Sequence, residues 1–454
     1  MNLTVLYLLI FLIIISLILI TIKSLTFKVS LKKLDNLVAE KNELIEAQNK
    51  KIRDLEKNIK IKLKKARNVH QRMLPDTLAE PDEFFFSDYY QPAEYIGGDY
   101  YNIFKIDHGS MDPFFEQYLV YFFDVSGHGI DSTLLSIFVN ESIENYFKLQ
   151  HSPGEKISTT KLINYIDQQY QKEDFPDDYL VCLFIAVLDN KKHTLSYSSG
   201  GFQYPIYKLN AENGIEAINI GGLPISTALG ALNDSREEKK INFEKNTTLV
   251  LSTDGLLEQS NGSDIYFDQF KKLLNKYQFL PAPFLKDLIR SDFYNFINGN
   301  PGEDDITYLL LERPAGEILN YQLDTKKQLN FIEQQQELKA ELVEFFNQIQ
   351  WRKITVLNKI KEIAFEIIEN ADLKLKVKAL NNQELFMLSF EKDKNSMNWD
   401  FIFNEYPELT SIAEINIDRN NDGSDQISFK ENELYYSHNK FNSKIYLLFF
   451  KRKI

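Results

Sequence analysis

The sequence predicts an α+β protein that is tethered to a membrane by an N-terminal helix. Three features predict this fold class: a charge-free apolar run at residues 3–22, a seven-residue apolar repeat after it, and strand-like and helix-like segments that alternate from about residue 76. A chain of 454 residues is long enough for two or three domains. We predict a transmembrane anchor at 1–24, a coiled-coil neck with a lead-in helix at 25–75, a layered α+β domain at 76–315 and a small α/β regulatory or interaction domain at 316–454.

The apolar run Leu3–Ile22 contains 20 residues and no charge. At about 1.5 Å per residue, a helix of this length crosses a hydrocarbon core of roughly 30 Å. A cleaved signal peptide is the alternative, but no basic segment precedes the run and no small-residue cleavage motif follows it. Because positive charges flank a span on its cytoplasmic side, the four lysines after the run place the rest of the chain in the cytoplasm. These lysines are Lys23, Lys28, Lys32 and Lys33.

A heptad repeat follows the anchor. Apolar residues occupy one position of the repeat and, in part, the position three residues further on. β-branched residues at the first position favour a parallel two-stranded coiled coil, so we expect a homodimer. A single amphipathic helix that lies on the membrane surface is the alternative, because the neck is rich in lysine. The repeat consists of Leu31, Val38, Ile45, Ile52 and Ile59, with Leu34 and Leu55 at the second position.

Charge and cysteine content exclude several classes of protein. Residues 23–67 carry 14 Lys or Arg and six Asp or Glu, whereas the whole chain has a net charge of −13. The body of the protein is therefore acidic, which is a poor match for nucleic acid, so we expect no nucleic-acid partner. The single cysteine, Cys182, excludes a disulfide framework and a multi-cysteine zinc site, and it fits a reducing compartment.

The α+β prediction for 76–315 depends on runs of β-branched and aromatic residues of strand length. Helical segments lie between them near 132–149, 158–173 and 282–298. The predicted strands are Gln117–Val125, Tyr179–Leu188, His193–Ser199, Thr247–Thr253 and Ile306–Glu312.

Aspartates occur where these strands begin or end. Asp124 ends one strand, Asp254 follows another, Asp304 and Asp305 precede a third, and Asp99 follows two glycines. An aspartate at a turn alone usually satisfies backbone donors and has a structural role. If the strand ends converge, however, the oxygen ligands form a site that suits hard divalent cations such as Mg²⁺ or Mn²⁺.

The ordered set "GGDYY" (97–101), "DVSGHG" (124–129), "STDGLLE" (252–258) and "EDDIT" (303–307) resembles the PPM-type metal-dependent serine/threonine protein phosphatases. It is most similar to their stage II sporulation protein E (SpoIIE)-like branch, and "QRMLP" (71–75) is similar to the lead-in helix and turn of that branch. The resemblance covers roughly 68–315. It implies a β-sandwich of two packed antiparallel sheets flanked by helices.

The resemblance also implies roles for individual residues. Asp99, Asp124, Asp254 and Asp304 would be the catalytic ligands of two divalent cations, Mn²⁺ or Mg²⁺, together with the backbone carbonyl of Val125. Asp305 would support these ligands or bind a third cation. His128 is a candidate general acid. A structural role in the glycine turn is the alternative, because His128 follows Asp124 by four residues, whereas the histidine of eukaryotic members of the superfamily follows the metal-binding aspartate by two.

The implied reaction is hydrolysis of phosphoserine or phosphothreonine by a water that the two cations activate. The substrate would be a regulatory phosphoprotein, similar to an anti-sigma-factor antagonist, and the enzyme would lie in the bacterial cytoplasmic (inner) membrane. A pseudophosphatase that binds phosphoproteins as a membrane scaffold is the alternative. The intact set of carboxylates favours the active enzyme.

The resemblance ends near residue 315. Residues 326–349 and Ile354–Asn370 predict amphipathic helices, and Leu385–Phe390 and Ile445–Phe450 predict strands. The segment Glu366–Ala371 faintly resembles the magnesium-binding helix of histidine-kinase-type ATP-binding domains. Such domains also need a glycine-bearing lid over the ATP, and the candidate segment 418–426 contains only one glycine, Gly423. An ATP site, a degenerate relative used for interaction and an unassigned α/β domain therefore stay open.

Overall fold

A computed structural model gives the structure of the chain. It divides into two compact units, Met1–Asn68 and Val69–Ile454, and each is described by itself. The residues that the structure describes are 3–70, 72–75, 78–107, 116–127, 129–149, 156–210, 213–230, 236–299, 302, 304–322, 331–348, 354–369, 375–381, 385–391, 406, 409–411, 418–419, 425–426, 434–439 and 444–450.

The described residues of the N-terminal unit, 3–68, lie within one continuous helix, α1 (Leu3–His70). Its sequence contains neither glycine nor proline, the two residues that interrupt helices most strongly. The first part of α1 is long and apolar enough to cross a membrane, by length and composition. In this single chain the heptad positions are about half exposed, for example Val38 (50%) and Ile52 (52%). The coiled coil itself stays a prediction.

The second unit contains two five-stranded sheets in which every neighbouring pair is antiparallel. The first sheet has the order β1-β10-β9-β6-β7, and the second has the order β2-β3-β4-β5-β8. The strands are β1 (Phe85–Gln91), β2 (Tyr100–Lys105), β3 (Gln117–Val125), β4 (Val181–Asp189), β5 (Thr194–Gly200), β6 (Ile206–Asn210), β7 (Gly214–Ile218), β8 (Lys239–Asn242), β9 (Thr247–Ser252) and β10 (Ile306–Arg313).

The two sheets pack face to face, and the alternation of side chains along each strand decides which residues lie between them. On β3, Val120 and Phe122 join the core between the sheets, whereas Leu119 and Tyr121 point to the covering helices. This arrangement confirms the predicted α+β sandwich flanked by helices.

Helices cover both outer faces of the sandwich. Two pack on the second sheet, and two longer ones pack on the first sheet beside a single helical turn. The helices are α2 (Ile130–Leu149) and α3 (Thr159–Lys172) on the second sheet, and α4 (Asp254–Leu257), α5 (Tyr266–Tyr277) and α6 (Ala282–Phe296) on the first.

Residues beyond 315 build a six-stranded sheet, called here the C-terminal sheet, with the order β11-β12-β13-β18-β17-β14. The helices α7 and α8 cover one of its faces. The strands β15 and β16 form a separate two-stranded sheet. The elements are β11 (Glu317–Gln322), α7 (Phe331–Gln348), α8 (Ile354–Glu369), β12 (Lys376–Asn381), β13 (Leu385–Glu391), β14 (Thr410–Ser411), β15 (Asp418–Arg419), β16 (Asp425–Gln426), β17 (Leu434–Asn439) and β18 (Lys444–Phe450).

Both faces of the C-terminal sheet are buried. Ala379 and Leu388 pack among α7 and α8, whereas Leu380 and Met387, one residue away in each strand, join the core that contains α6. The predicted boundary at 315 stays a prediction, because the residues on its two sides share this core and one compact unit. Of the ATP-site resemblance, Asn370, Ala371 and Gly423 lie outside the described residues.

Candidate active site

The predicted aspartates lie at the same end of the two sheets. In the second sheet, Asp99 directly precedes β2 and Asp124 lies near the end of β3, and these strands are antiparallel neighbours. In the first sheet, Asp254 follows β9 while Asp304 and Asp305 precede its neighbour β10. Charge interactions link the members across the two sheets. We call these five residues the aspartate cluster.

Asp99 is almost fully buried, with 1% of its surface exposed. Its Oδ2 accepts hydrogen bonds from the hydroxyls of Thr253 (3.0 Å) and Thr307 (2.5 Å). Both threonines belong to the other sheet, one after β9 and one in β10. The two sheets are therefore joined through the carboxylate of Asp99.

Asp305 holds the loop that leads to Asp99. Its Oδ1 accepts from the backbone N–H of Ala93 (2.8 Å) and its Oδ2 accepts from that of Gly98 (2.6 Å). Burial raises the pKa of Asp305 to about 6, although these hydrogen bonds act in the opposite direction. A carboxylate that binds two backbone amides in this way fixes the position of the whole turn.

Burial and neighbouring carboxylates raise the pKa values of three members of the aspartate cluster. Burial, followed by the charges of Asp124 and Asp305, raises the pKa of Asp99 well above its ordinary value. Burial, followed by the charges of Asp254 and Asp304, does the same for Asp124. Burial and the charge of Asp304 also raise the pKa of Asp254. Since like charges in a shared site disfavour ionisation, the cluster is unfavourable as five free carboxylates.

Glycines let the backbone approach this cluster. A Cβ on Gly98 would lie 2.6 Å from the carbonyl oxygen of Val125. A Cβ on Gly255 would lie 2.0 Å from the carbonyl oxygen of Asp305. Real Cβ atoms essentially never come this close, so any other residue at either position would push these segments apart. The carbonyl of Val125 consequently faces the turn before Asp99.

The residues fit divalent cations by their chemistry. The donors are carboxylate and carbonyl oxygens, which hard cations prefer. A bound cation would offset both the burial and the mutual repulsion that raise these pKa values. Within the described residues, no three His, Cys, Asp or Glu side chains already have the spacing of a metal site. The side chain of Asp124 instead forms hydrogen bonds with those of Asp99 and Asp254.

Three supporting residues were not predicted from the sequence. Thr253 lies in the motif "STDGLLE" and Thr307 in "EDDIT", so their positions in these motifs could have indicated a role at the site. The hydroxyl of Thr133 donates to the carbonyl of Gly97 at 2.9 Å and holds the glycine turn from α2. His128, the candidate general acid, lies outside the described residues.

Cys182 lies opposite Asp124 in the pairing of β3 with β4. Its thiol is partly buried and contacts the carbonyl of Gly201 at 3.3 Å. Burial, followed by the charges of Asp124 and Asp254, raises its pKa to about 12. Because the thiolate is the reactive form, these surroundings disfavour a reactive Cys182.

Known proteins resemble part of the chain. The sequence model of the Stage II sporulation protein E (SpoIIE) family matches residues 116–314. The phosphoserine phosphatase RsbP of Bacillus subtilis is 22% identical over 260 residues, which are 56% of this chain and 58% of RsbP. The phosphoserine phosphatase RsbU of the same organism is 20% identical over 270 residues, 59% of this chain and 74% of RsbU. The match thus spans less than two thirds of RsbP.

A solved structure, the SiaA-PP2C domain of Pseudomonas aeruginosa, aligns with a TM-score of 0.46 and 19% identity. The alignment covers 57% of this chain and 98% of that domain. The family match contains Asp124, Asp254, Asp304 and Asp305, and Asp99 lies just before its start. The segment 116–314 is therefore similar to the SpoIIE-like phosphatases.

Proposed function

We propose that this protein is a membrane-anchored serine/threonine protein phosphatase that hydrolyses phosphoserine or phosphothreonine on a regulatory phosphoprotein. The observation that supports the proposal most is the convergence of five aspartates at one end of the sandwich, with raised pKa values for Asp99, Asp124, Asp254 and Asp305. The relatives RsbP and RsbU, which match 56% and 59% of this chain, are named phosphoserine phosphatases, which supports the reaction class.

Asp99, Asp124, Asp254, Asp304 and the carbonyl of Val125 would hold two divalent cations, Mn²⁺ or Mg²⁺. The chemistry that such cations supply when bound is Lewis acidity, which yields a nucleophilic water at neutral pH and neutralises charge on a phosphoryl group.

The surrounding residues orient these ligands. Thr253 and Thr307 fix one oxygen of Asp99. Asp305 holds the backbone of Ala93 and Gly98 and thereby sets where Asp99 stands. Preorganisation of this kind matters because a site that already has the right geometry does not need to reorganise during the reaction.

The anchor and the neck suggest where and in what form the enzyme works. The apolar run of α1 supports a single membrane span, and the lysines after it support a cytoplasmic phosphatase domain. The half-exposed apolar heptad positions, such as Ile45 (51%) and Ile59 (56%), support a homodimer through a parallel coiled coil, because pairing would bury them. We propose an anti-sigma-factor antagonist-like protein as the substrate, from the resemblance alone.

The direct test is hydrolysis of a phosphoserine peptide by the 454-residue chain in detergent, with Mn²⁺ and with chelator, beside Asp124→Asn and Asp304→Asn. We expect Mn²⁺-dependent release of phosphate that both substitutions abolish. A folded protein that binds Mn²⁺ and the phosphopeptide without hydrolysis would support the pseudophosphatase instead. Hydrolysis that survives the chelator and both substitutions would overturn the metal-dependent mechanism.

A further inference from the structure

Two buried lysines lie on the face of the C-terminal sheet that packs against the sandwich. Lys378 of β12 and Lys444 of β18 are each only 4% exposed. Leu380 and Tyr446 lie two residues further along the same strands, and therefore on the same face, and they join the core around α6. A buried ammonium group is strongly unfavourable unless a partner compensates it, so the partners of these lysines show what the face is built to hold.

The partner is the turn that precedes β1. The ammonium group of Lys378 forms an ion pair with Glu80 and donates to the carbonyls of Pro81 and Phe84, both at 2.9 Å. The other carboxylate oxygen of Glu80 accepts from the backbone N–H of Phe86 at 2.8 Å. Lys378 therefore holds the turn 80–86 at three points, beside the backbone hydrogen bond from Phe84 to the carbonyl of Pro81 at 3.1 Å.

The second lysine completes a neutral group. Its ammonium group lies 3.6 Å from the carboxylate of Glu80 and 3.1 Å from that of Glu391. Burial acts to raise the pKa of Glu80, but the charges of Lys378 and Lys444 outweigh it, and the pKa lies below its ordinary value. We call Glu80, Lys378, Lys444 and Glu391 the Glu80 cluster.

The turn is joined to the aspartate cluster by a single strand. β1 starts at Phe85, within the turn, and ends at Gln91, two residues before the Ala93 amide that Asp305 binds. It is an edge strand, which β10 holds on one side. Its seven residues span roughly 23 Å at about 3.3 Å each. A shift of the turn along this strand, against its seven-residue pairing with β10, would displace the loop that leads to Asp99.

We propose that Lys378 is a positioning residue for the aspartate cluster: by holding the turn 80–86 it fixes the register of β1, and with it the loop 92–99. This inference rests on the proposed function for its catalytic consequence. It gives the C-terminal sheet a part in forming the metal site, beyond covering α6.

The test uses the 454-residue chain in detergent and the substitution Lys378→Met, which keeps the length of the side chain and removes its donors. Hydrogen exchange of the segment 91–99 reports the amides of Ala93 and Gly98 without any need for activity. Titration calorimetry with Mn²⁺ reports the metal site, and kcat and KM on a phosphoserine peptide report catalysis. The matched control is Lys286→Met, because Lys286 is similarly buried (5% exposed) and pairs with Asp287 on α6.

We expect Lys378→Met to speed exchange of 91–99 at least tenfold, to weaken Mn²⁺ binding at least fivefold and to lower kcat more than it raises KM. Lys286→Met should leave exchange and Mn²⁺ binding within twofold of the unmodified chain. If Lys378→Met does not fold, Glu80→Gln keeps an oxygen for the Phe86 amide, loses the ion pair and should change both quantities in the same direction.

The double variant Glu80→Gln/Lys378→Met separates positioning from stability. Removing both members restores charge balance, so unfolding stability should recover relative to Lys378→Met. The carbonyls of Pro81 and Phe84 would still lack the lysine donor, although that of Pro81 keeps the backbone N–H of Phe84. We expect exchange of 91–99 to stay fast. Recovery of exchange together with stability, or exchange in Lys378→Met equal to that in Lys286→Met, would overturn the proposal. Absence of Mn²⁺ binding by the unmodified chain would count against the proposed function alone, because exchange is read without metal.

Discussion

The aspartate cluster and the Glu80 cluster bury the same chemical group in opposite ways. Burial and neighbouring carboxylates raise the pKa values of Asp99 and Asp124, whereas two lysines lower the pKa of Glu80 despite its burial. In the Glu80 cluster the chain supplies the cations from β12 and β18. In the aspartate cluster the largest charge effects come from other aspartates, so we expect any stabilising cations to come from solution. The contrast separates a structural ion pair from a candidate metal site.

The largest expected effect is on catalysis. Asp124→Asn should reduce phosphopeptide hydrolysis by about 1,000-fold or more, because it removes a charged ligand from the centre of the aspartate cluster. The same substitution should raise the free energy of unfolding without metal, because it removes one of the repelling charges. Asp131→Asn, at an exposed aspartate near the start of α2, is the control and should change neither quantity appreciably. Activity that falls equally in both variants would break the distinction.

The same type of substitution in the Glu80 cluster should have the opposite effect on stability. Glu80→Gln leaves Lys378 buried without its carboxylate, and we expect it to lower the free energy of unfolding by about 3 kcal/mol in urea titrations. Because the pKa of Glu80 is lowered in the fold, the stabilisation exists above its ordinary pKa of 4.5 and is lost as the pH falls. Glu116→Gln, in a partly exposed pair with Lys105, should cost less than about 1 kcal/mol. Equal losses for both variants would contradict the account.

Glu312 is a buried carboxyl that belongs to neither cluster. Glu312 accepts a hydrogen bond from the amide of Ala282, and burial raises its pKa from 4.5 to about 8. The unfolded chain loses this proton above pH 4.5 while the folded chain keeps it up to about pH 8, so stability falls across that window. The free energy of unfolding of Glu312→Gln, compared with that of the unmodified chain at the same pH, should therefore be about 3 kcal/mol more favourable at pH 7 than at pH 4.5. A difference between variant and unmodified chain that does not change with pH would show that Glu312 is ionised in the fold.

The smallest expected effect is the thermal shift on metal binding. Ligand at 100 times its Kd stabilises a native state by about 2.7 kcal/mol. Mn²⁺ at such an excess should raise the Tm of the unmodified chain and of Glu312→Gln. It should leave the Tm of Asp124→Asn nearly unchanged. An equal rise in all three proteins would place the bound Mn²⁺ elsewhere.

The sequence was most informative where local pattern and function coincide. Gln117–Val125 is apolar and β-branched along its length and ends on Asp124, so both the strand and the aspartate could be predicted. Five strands of the sandwich were missed because their pattern is weak. In β1, for example, "FFSDYYQ" mixes buried rings with polar residues, and its strand character depends on pairing with β10.

The support around the site depends on tertiary contacts that no local pattern contains. Thr253 and Thr307 meet Asp99 across two sheets, at separations of 154 and 208 residues. Lys378 shows the same limit more strongly. A lysine within "KVKALN" predicts an exposed position, and its burial becomes favourable only because Glu80, 298 residues earlier, reaches it.

The central claim is that the aspartate cluster takes its cations from solution. The most direct measurement is the anomalous difference map of a crystal of the 454-residue chain grown with Mn²⁺. The account predicts strong peaks bounded by Asp99, Asp124, Asp254 and Asp304, and none beside Glu80, where lysines already occupy the carboxylate. A map with no peak at the aspartates, or with Mn²⁺ bound only at other carboxylates, would contradict it.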